Sequence, residues 1–229
     1  MEAPLHEWGL APKQAIALQT VLAKKVEIAD RIDPVQHIAG VDIGFEEEGT
    51  ITRAAVVLLK WEPAKAPYLT LVEQVVHREP TRMPYIPGLL SFREIPAALG
   101  AFQKLSTLPE LVMVDGQGIA HPRRLGVAAH LGLWLDLPTI GIAKSRLYGR
   151  YAEVGEQRGD WVPLNAPGGD VIGAVLRSRH NVKPVFVSPG HRLSLETSLD
   201  WVMRCLGRTK LPEPTRLADR LASRRGQQR

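Results

Sequence analysis

Three strand-like runs stand next to one another near the start of the chain, and they constrain the fold more than any other sequence feature. They cover residues 37–45, 52–61 and 68–78, and each is rich in Val, Ile, Leu or Thr. Short turns with acidic, Gly or Pro residues separate the runs, which is typical of an antiparallel meander. We therefore expect the sheet of this protein to begin with three antiparallel strands.

Helical and strand-like segments fill the rest of the chain. Apolar residues at helical spacing predict a helix between Pro12 and Asp33, and further helices are predicted over residues 88–105, 126–135 and 194–205. Apolar runs predict strands over residues 111–114, 139–143, 171–176 and 185–187. A stretch rich in Gly and Pro predicts an irregular connection over residues 148–169. The predicted fold class is α/β, with a central mixed sheet flanked by helices.

The composition is that of an ordinary globular protein. Of the 229 residues, 45% are hydrophobic and 23% are charged, so a core can form. No apolar run approaches the roughly 18 residues that a membrane span needs, and the first residues lack a signal-peptide pattern. Cys205 is the single cysteine, which rules out an internal disulfide. We expect one domain over residues 1–229, monomeric and cytoplasmic, with no membrane partner.

The charge is concentrated at the C-terminus. The formal net charge of the whole chain is +5, which favours a polyanionic partner such as nucleic acid. Residues 204–229 alone contain eight Lys or Arg and two Asp or Glu. A basic segment from about residue 206 to 229 is therefore either a solvated tail or an accessory contact to phosphates. Both interpretations stay open at this point.

Two aspartates lie next to glycines at strand positions. Asp42 shares one face of its strand with Gly40 and Gly44, which leaves bare space around a single carboxylate. Asp115 ends a buried apolar strand and is followed by Gly116. Each aspartate alone also fits a structural role, at a strand end or in a turn. Together they predict two carboxylates that something can approach.

A third carboxylate makes the order along the chain informative. Glu94 lies early in the first helix after the meander, where a lone glutamate is usually just solvated. However, Asp on the first strand, Glu on this helix and Asp at the end of the fourth strand is the order in which carboxylates converge in a ribonuclease H-like fold. Converging carboxylates repel one another unless a hard cation such as Mg²⁺ neutralises them. We therefore predict a Mg²⁺ site that hydrolyses phosphodiesters.

Four more residues suit chemistry on phosphate. His121 lies in the segment HPRRLG beside two arginines, and Lys144 ends the strand TIGIA at the carboxyl edge of the sheet. His191 and Glu196, in the segment GHRLSLE at the start of the last predicted helix, extend the candidate site. Each of the four also has an ordinary structural interpretation, as a satisfied core or surface residue.

Four motifs resemble those of the endonuclease V family. They are VDIGF around Asp42, MPYIPGLLSFRE ending at Glu94, VDGQGIAHPRRLG after Met113, and PTIGIAK ending at Lys144. The resemblance runs in unbroken order from residue 10 or so to residue 220. It implies a ribonuclease H-like fold and a Mg²⁺-dependent, Mn²⁺-tolerant endonuclease that acts on deoxyinosine in DNA. It further implies cleavage of the second phosphodiester bond 3′ to the lesion, leaving 3′-hydroxyl and 5′-phosphate ends.

The resemblance also implies roles for the matched residues. Asp42, Glu94 and Asp115 are the implied metal ligands, and His121 and Lys144 are implied to lie near the scissile phosphate. A further set is implied to contact the substrate, the first residue as a wedge between the strands and the others as a pocket for the lesion base lined largely by backbone: Tyr85, Gly88, Leu90, Gly116, Gly126 and Val127. Glycines suit such a pocket because backbone groups can then approach the base closely.

One residue departs from the family pattern. The usual DGHG segment reads DGQG here, with Gln117 in place of His. Glutamine keeps the hydrogen bonding of that position but cannot exchange a proton near neutral pH. Any acid or base role of this position is therefore in doubt, whereas the three carboxylates are all present.

Other classes of protein fit less well. The segments DIG and DGQG also resemble the phosphate loops of actin-like kinases and ATPases, but those proteins need two such domains and this chain has room for one. A basic nucleic-acid-binding module without catalysis would be favoured by the loss of a carboxylate. An inosine-specific ribonuclease remains an alternative, because the sequence does not distinguish cleavage of DNA from cleavage of RNA.

Overall fold

A computed structural model describes residues 4–223 of the chain. The strands in this range are β1 (His37–Glu46), β2 (Ile51–Trp61), β3 (Leu69–Pro80), β4 (Leu111–Asp115), β5 (Thr139–Ala143), β6 (Trp161–Asn165), β7 (Val171–Leu176) and β8 (Val185–His191). The helices are α1 (Pro12–Ala23), α2 (Leu90–Phe102), α3 (Val127–Leu135), α4 (Leu195–Arg204) and α5 (Glu213–Ser223). None of these helices is long and apolar enough to cross a membrane.

The strands form one mixed sheet in the order β3-β2-β1-β4-β5-β8-β7-β6. The predicted meander is confirmed, because β1 pairs antiparallel with β2 and β2 pairs antiparallel with β3. The next two strands, β4 and β5, run parallel to β1, and β8, β7 and β6 return to antiparallel pairing. The α/β fold with a central mixed sheet is therefore as predicted. The parallel strands β4 and β5 deliver their carboxyl ends to one edge.

Side chains alternate between the two faces of the sheet, and each face has its own helices. Val41 of β1 and Val114 of β4 pack under α2 and α3. Ile38 of β1 and Met113 of β4 point to the opposite face of the sheet. They belong to the core that α4 covers, and α5 packs on this second face beside β1 and β2. Even-numbered residues of β1 and odd-numbered residues of β4 therefore point to the α4 and α5 side.

Two predicted segments differ in the structure. The helix predicted to extend to Asp33 ends at Ala23, because the backbone at Glu27 and Arg31 instead hydrogen-bonds to residues 191–192. The connection predicted to be irregular contains β6, which lies at the edge of the sheet, pairs with β7 and forms one isolated bridge with Arg150. Pro163 lies within β6, and an edge strand is where a proline is tolerated, since its missing N–H leaves no neighbour unpaired.

The C-terminal basic segment is in large part a packed helix and not a free tail. Ala218 of α5 is completely buried against Val57 and Leu59 of β2. The guanidinium of Arg53 donates to the carbonyl oxygens of Leu221 and Ala222 at the end of α5. The interpretation as a solvated tail is therefore wrong for residues 213–223, and the three arginines that follow lie outside the described residues.

Candidate active site

Three carboxylates meet where α5 crosses the strand ends. Asp42 projects from β1 and Asp115 ends β4, both with the parity that faces α5. Asp219 is supplied by α5, and one oxygen of each of the three carboxylates lies within 4.8 Å of the others. Carboxylate oxygens at this spacing are the ligands that a hard divalent cation prefers. These three residues therefore fit a metal ion.

Lys144 directly follows β5 and contributes positive charge to this cluster. Its Nζ lies 2.6 Å from Oδ2 of Asp115 and 2.6 Å from Oδ1 of Asp219. Burial alone would lower the pKa of Lys144, but its hydrogen bonds to the two carboxylates outweigh that effect, and the pKa is raised. Lys144 is therefore a charged ammonium at neutral pH, at the edge of the sheet where the sequence predicted it.

The cluster holds more negative charge than Lys144 neutralises. Burial, followed by the nearby charge of Asp115, raises the pKa of Asp42 to about 7. Burial also raises the pKa of Asp115, in spite of its bond to Lys144. Because both carboxyls resist ionisation, the fully ionised cluster is unfavourable without another cation. A divalent cation bound between the carboxylates would remove this repulsion, and carboxylate oxygens are the ligands that such a cation prefers.

Glu94 reaches the same region from the opposite face of the sheet. It lies in the second turn of α2 and is 7% exposed. Burial, followed by the charges of Asp42 and Asp115, raises its pKa well above the usual value. Glu94 is not one of the three carboxylates that share the 4.8 Å spacing. Of the predicted ligands, the structure thus brings Asp42 and Asp115 together with Asp219 and places Glu94 beside them.

A cavity of about 420 Å³ opens next to the cluster. Glu94, Asp115 and Lys144 lie in its wall. The same wall contains all six residues that the sequence assigned to substrate contacts, namely Tyr85, Gly88, Leu90, Gly116, Gly126 and Val127. The predicted base pocket and the predicted metal site therefore adjoin one another in a single space.

The glycines of this cavity permit close packing of the loops that form its wall. A Cβ at Gly126 would meet the backbone of Gln117, and a Cβ at Gly116 would meet the side chain of Val127. Gly116 and Gly88 also have φ values of +150° and +80°, which other residues rarely adopt. The missing side chains therefore allow the loops to pack against one another.

A hydrogen-bond network fixes one side of the cavity at Gly88. The carbonyl oxygen of Gly88 accepts bonds from Nε2 of Gln19 at 2.9 Å, from Nη2 of Arg123 at 2.8 Å and from Nε2 of His121 at 3.2 Å. Nδ1 of His121 accepts from the Arg123 backbone N–H, so its proton is on Nε2. Burial, followed by the charge of Arg123, lowers the pKa of His121 to about 4. His121 is therefore neutral near pH 7.

Gln117 connects two loops of the cavity wall. Its Nε2 donates to the carbonyl oxygen of Ser145, at 3.1 Å, and its side chain is almost fully buried. Because a carbonyl accepts this bond, the amide orientation is fixed with Nε2 toward Ser145. Gln117 thus ties the loop after β4 to the loop after β5. This is a structural role that needs no proton transfer.

Tyr85 is the most exposed of the residues assigned to the substrate. Its side chain is 67% exposed at the rim of the cavity, in a segment without regular secondary structure. An aromatic side chain this exposed contributes little to the core. Its position agrees with a role in binding and argues against the alternative of a buried core residue.

His191 and Glu196 lie away from the cluster. His191 ends β8 and pairs with Thr139 at the start of β5, whereas Lys144 follows the end of β5. The length of β5 separates these two ends by about 13 Å. Nε2 of His191 faces Asp136, and Glu196 lies beyond it in the first turn of α4. The structure therefore does not bring these two residues to the carboxylate edge.

Asp219 is the site residue that the sequence analysis missed. It lies inside the basic segment, where charge alone suggested a contact to phosphates. The signal was the helical spacing of Leu217, Ala218 and Leu221, which predicts an amphipathic helix with one acidic residue beside its apolar face. A helix that packs on the sheet must place that residue near other elements.

The chain is similar to known proteins over almost its whole length. The family model described as endonuclease V matches residues 20–220. Endonuclease V of Trichormus variabilis is 53% identical over 221 residues, covering 96% of this chain and 97% of the relative. The crystal structure of endonuclease V from Streptomyces avermitilis has a TM-score of 0.86 at 38% identity and covers 94% of this chain and 92% of that chain. Ciona intestinalis endonuclease V, crystallised with a 23mer DNA containing an inosine followed by a ribo-adenosine, has a TM-score of 0.79 at 25% identity, covering 93% and 97%.

Proposed function

The chain belongs to the endonuclease V family, and we propose that it is a metal-dependent endonuclease that recognises deoxyinosine in DNA. The proposed cofactor is Mg²⁺, with Mn²⁺ tolerated. The proposed reaction is hydrolysis of the second phosphodiester bond 3′ to the deoxyinosine, which leaves 3′-hydroxyl and 5′-phosphate ends. The enzyme acts in the repair of deaminated adenine.

One observation carries this proposal. The space that suits a base and the carboxylates that suit a metal ion form one continuous site, since Asp115 and Lys144 lie in the wall of the same cavity as Gly88 and Val127. A volume of about 420 Å³ is within the range of small-molecule pockets, about 300–1,000 Å³. A base held there keeps its own strand within reach of the carboxylates.

The residues around the cluster divide the chemistry between them. A cation held by Asp42, Asp115 and Asp219, with Glu94 beside them, would supply an activated water and stabilise charge on the phosphate. Lys144 places its ammonium at the same edge, where it can donate to a phosphate oxygen.

Base recognition is assigned to the cavity wall. Hypoxanthine carries a 6-oxo group and an N1 proton where adenine carries an amino group and a bare N1, so a fixed set of donors and acceptors can distinguish the two. The triple hydrogen bond to the Gly88 carbonyl and the tie from Gln117 to Ser145 hold this wall in one shape. His121 is neutral in its hydrogen bond to the Gly88 carbonyl, and it lies in the cavity wall close to the proposed path of the cleaved DNA strand. Tyr85 at the rim acts as a wedge that supports the unstacked duplex.

The proposal is tested by nicking assays on matched duplexes that contain deoxyinosine, deoxyuridine or no lesion, with Mg²⁺, Mn²⁺ or EDTA. We expect nicking of the deoxyinosine strand alone, only with metal, and products whose mapped ends are 3′-hydroxyl and 5′-phosphate. Asp219→Asn should abolish nicking. The control is Asp200→Asn, which removes a carboxylate paired with Arg204 on α4, away from the cluster. Nicking that ignores the lesion, or that continues in EDTA, would contradict the proposal.

RNA is the second candidate substrate. The oligonucleotide bound by the Ciona intestinalis protein carries a ribo-adenosine directly after its inosine, so that relative accommodates a ribose at this position. The same assay with an inosine-containing RNA of equal sequence distinguishes the two activities. Faster cleavage of the RNA than of the DNA would make this chain an inosine-specific ribonuclease.

A further inference from the structure

A second cavity has Lys144 in its wall, next to the carboxylate cluster. It is open, has a volume of about 320 Å³, and its wall contains Lys144, Thr209, Lys210, Leu211 and Arg216. Three of these five residues are cations. Lys144 also lines the larger cavity assigned to the base. The two spaces therefore meet at Lys144, next to the carboxylates.

The cations of the second cavity differ in how their charge is balanced. Lys144 is paired with Asp115 and Asp219, and Arg216 forms two hydrogen bonds with the carboxylate of Glu213. By contrast, Lys210 forms no ion pair with any carboxylate of residues 4–223. Its ammonium is the positive charge in this wall that is left for a ligand.

The surroundings of Lys210 are unfavourable for an isolated cation. Its side chain is half-buried, and burial, followed by the charges of Lys183 and Lys144, lowers its pKa. A cation that is partly desolvated next to other cations costs free energy, which an anion in the cavity would recover. The cavity thus combines space, a wall with three cations and no acidic residue among the described residues, and one unpaired ammonium.

The backbone around Lys210 is held in place before any ligand binds. The carbonyl oxygen of Lys210 accepts a hydrogen bond from the hydroxyl of Ser178, at 2.6 Å. Thr209 donates to the carbonyl of Leu211, at 2.9 Å, and Leu206 pairs with Pro212 across the loop. A loop fixed in this way loses little entropy on binding, so even one charge can contribute measurably to affinity.

We propose that Lys210 forms a subsite for a backbone phosphate of the cleaved strand, on the far side of the cut from the lesion. The shared residue carries this assignment: Lys144 is the one described residue that lies in the walls of both cavities, and its ammonium contacts Asp115 and Asp219. A strand whose base enters the first cavity and whose phosphate reaches the carboxylates continues into the second. The inference rests on the proposed function, because that function defines which phosphate is cut.

The test combines a variant with a modified substrate. Binding of duplex deoxyinosine DNA is measured in Ca²⁺ over a range of salt concentrations, for the wild type, Lys210→Gln and Lys210→Arg. In a second duplex, the phosphate next after the scissile one on the 3′ side is replaced by a neutral methylphosphonate. Lys104→Gln is the matched control, since Lys104 is an exposed lysine just after the end of α2. It lines neither of the two cavities and forms no ion pair with any described residue.

We expect Lys210→Gln to bind the normal duplex about tenfold more weakly, as the loss of one charged hydrogen bond predicts. The log–log slope against salt should become shallower by about 0.9, the value for one phosphate contact. The methylphosphonate should cause the same loss in the wild type and no further loss in Lys210→Gln. Lys210→Arg should restore the slope, and Lys104→Gln should leave affinity and slope unchanged.

The failure of this subsite is distinguishable from the failure of the proposed function. Wild-type protein that neither binds nor nicks deoxyinosine DNA would overturn both. Wild-type protein that nicks as proposed, together with a Lys210→Gln variant of unchanged slope, would overturn the subsite alone. The same conclusion would follow if the losses from the variant and from the methylphosphonate were additive, because independent effects cannot come from one contact.

Discussion

The contact between Gly40 and α5 decides whether the third carboxylate reaches the site, and Gly40→Ala tests it. A Cβ at this position would lie 2.8 Å from Cα of Pro214 and even closer to its carbonyl group. Carbon atoms in contact are usually about 3.5 Å apart or more, so strand and helix must separate by at least about 0.7 Å. The atoms that the methyl group meets are all backbone atoms of Pro214, so no side-chain rotation can relieve the overlap.

The expected consequences are loss of both stability and activity. Overpacking of this kind costs about 1–3 kcal/mol, and in a chain of this length about 2 kcal/mol lowers the melting temperature by roughly 4–8 °C. Asp219 lies about one and a half turns beyond Pro214 in the same helix, so it moves with the helix. A misplacement near 1 Å at a catalytic centre can reduce the rate by about 100-fold. We therefore expect nicking to fall far more than the loss of folded protein explains.

The assay compares thermal unfolding and Mg²⁺-dependent nicking of the full chain. Gly44→Ala is the control, since Gly44 lies on the same strand and face but no atom lies within 4 Å of an added Cβ. We expect its stability to stay within about 0.5 kcal/mol of the wild type. If Gly40→Ala melts like the wild type and responds to Mg²⁺ in the same way, α5 does not depend on this contact and the reasoning is refuted.

Four further outcomes follow from the structure. Tyr85→Ala should melt within a few degrees of the wild type. It should lose more affinity for duplex than for single-stranded deoxyinosine DNA, because only the duplex must be unstacked. A large fall in melting temperature, with equal losses of affinity for the two DNAs, would instead indicate a core residue. Asp115→Ala should abolish nicking but retain binding in a gel-shift assay, since removing negative charge does not weaken attraction to phosphate; near-wild-type nicking would exclude it as a ligand. The pKa of His121 is about 4 in the folded protein and near 6.5 in the unfolded chain, so between these pH values the unfolded state binds more protons. The free energy of unfolding should therefore fall by about 2 kcal/mol from pH 7 to pH 5. Urea unfolding of His121→Gln should lack this part of the fall, and an unchanged pH dependence would refute the assignment. A chain truncated after Leu211 should lose cooperative unfolding and nicking because it lacks α5. A chain truncated after Ser223 should keep both, and only the salt dependence of its DNA binding should become weaker. A folded, active chain without α5 would contradict the packing of this helix on the sheet.

The local pattern of the sequence was sufficient for most of the sheet. Strand β5 was predicted with its exact bounds, and the meander was predicted within two residues at each end, because short apolar runs between turn residues have few other structures available. Strand β6 was missed because Pro163 and the glycines around it indicate a loop. Its strand pairing depends on β7, which lies beyond it in the chain. That information is tertiary and no local pattern contains it.

The candidate site was predicted in part for a similar reason. Asp42 and Asp115 are on strands whose alternation shows which way they face, so their meeting follows from the order of strands. Gly40 and Gly44 were both expected to leave bare space beside Asp42, but the backbone of Pro214 fills the space at Gly40, and only the space at Gly44 is open. A glycine shows that space is needed there. It does not show what fills the space.

The position of Asp219 has a consequence for how the site forms. Asp42 and Asp115 are brought together by the pairing of β1 with β4, which needs only the first half of the chain. The third carboxylate arrives only when α5, near the C-terminus, packs on β1 and β2. In any state in which α5 is detached, Asp42 and Asp115 remain with Glu94 beside them, but the site has lost Asp219 as a metal ligand and as a partner of Lys144. Assembly of the site is thereby coupled to docking of the last helix, so loss of nicking should accompany or precede global unfolding when α5 is destabilised.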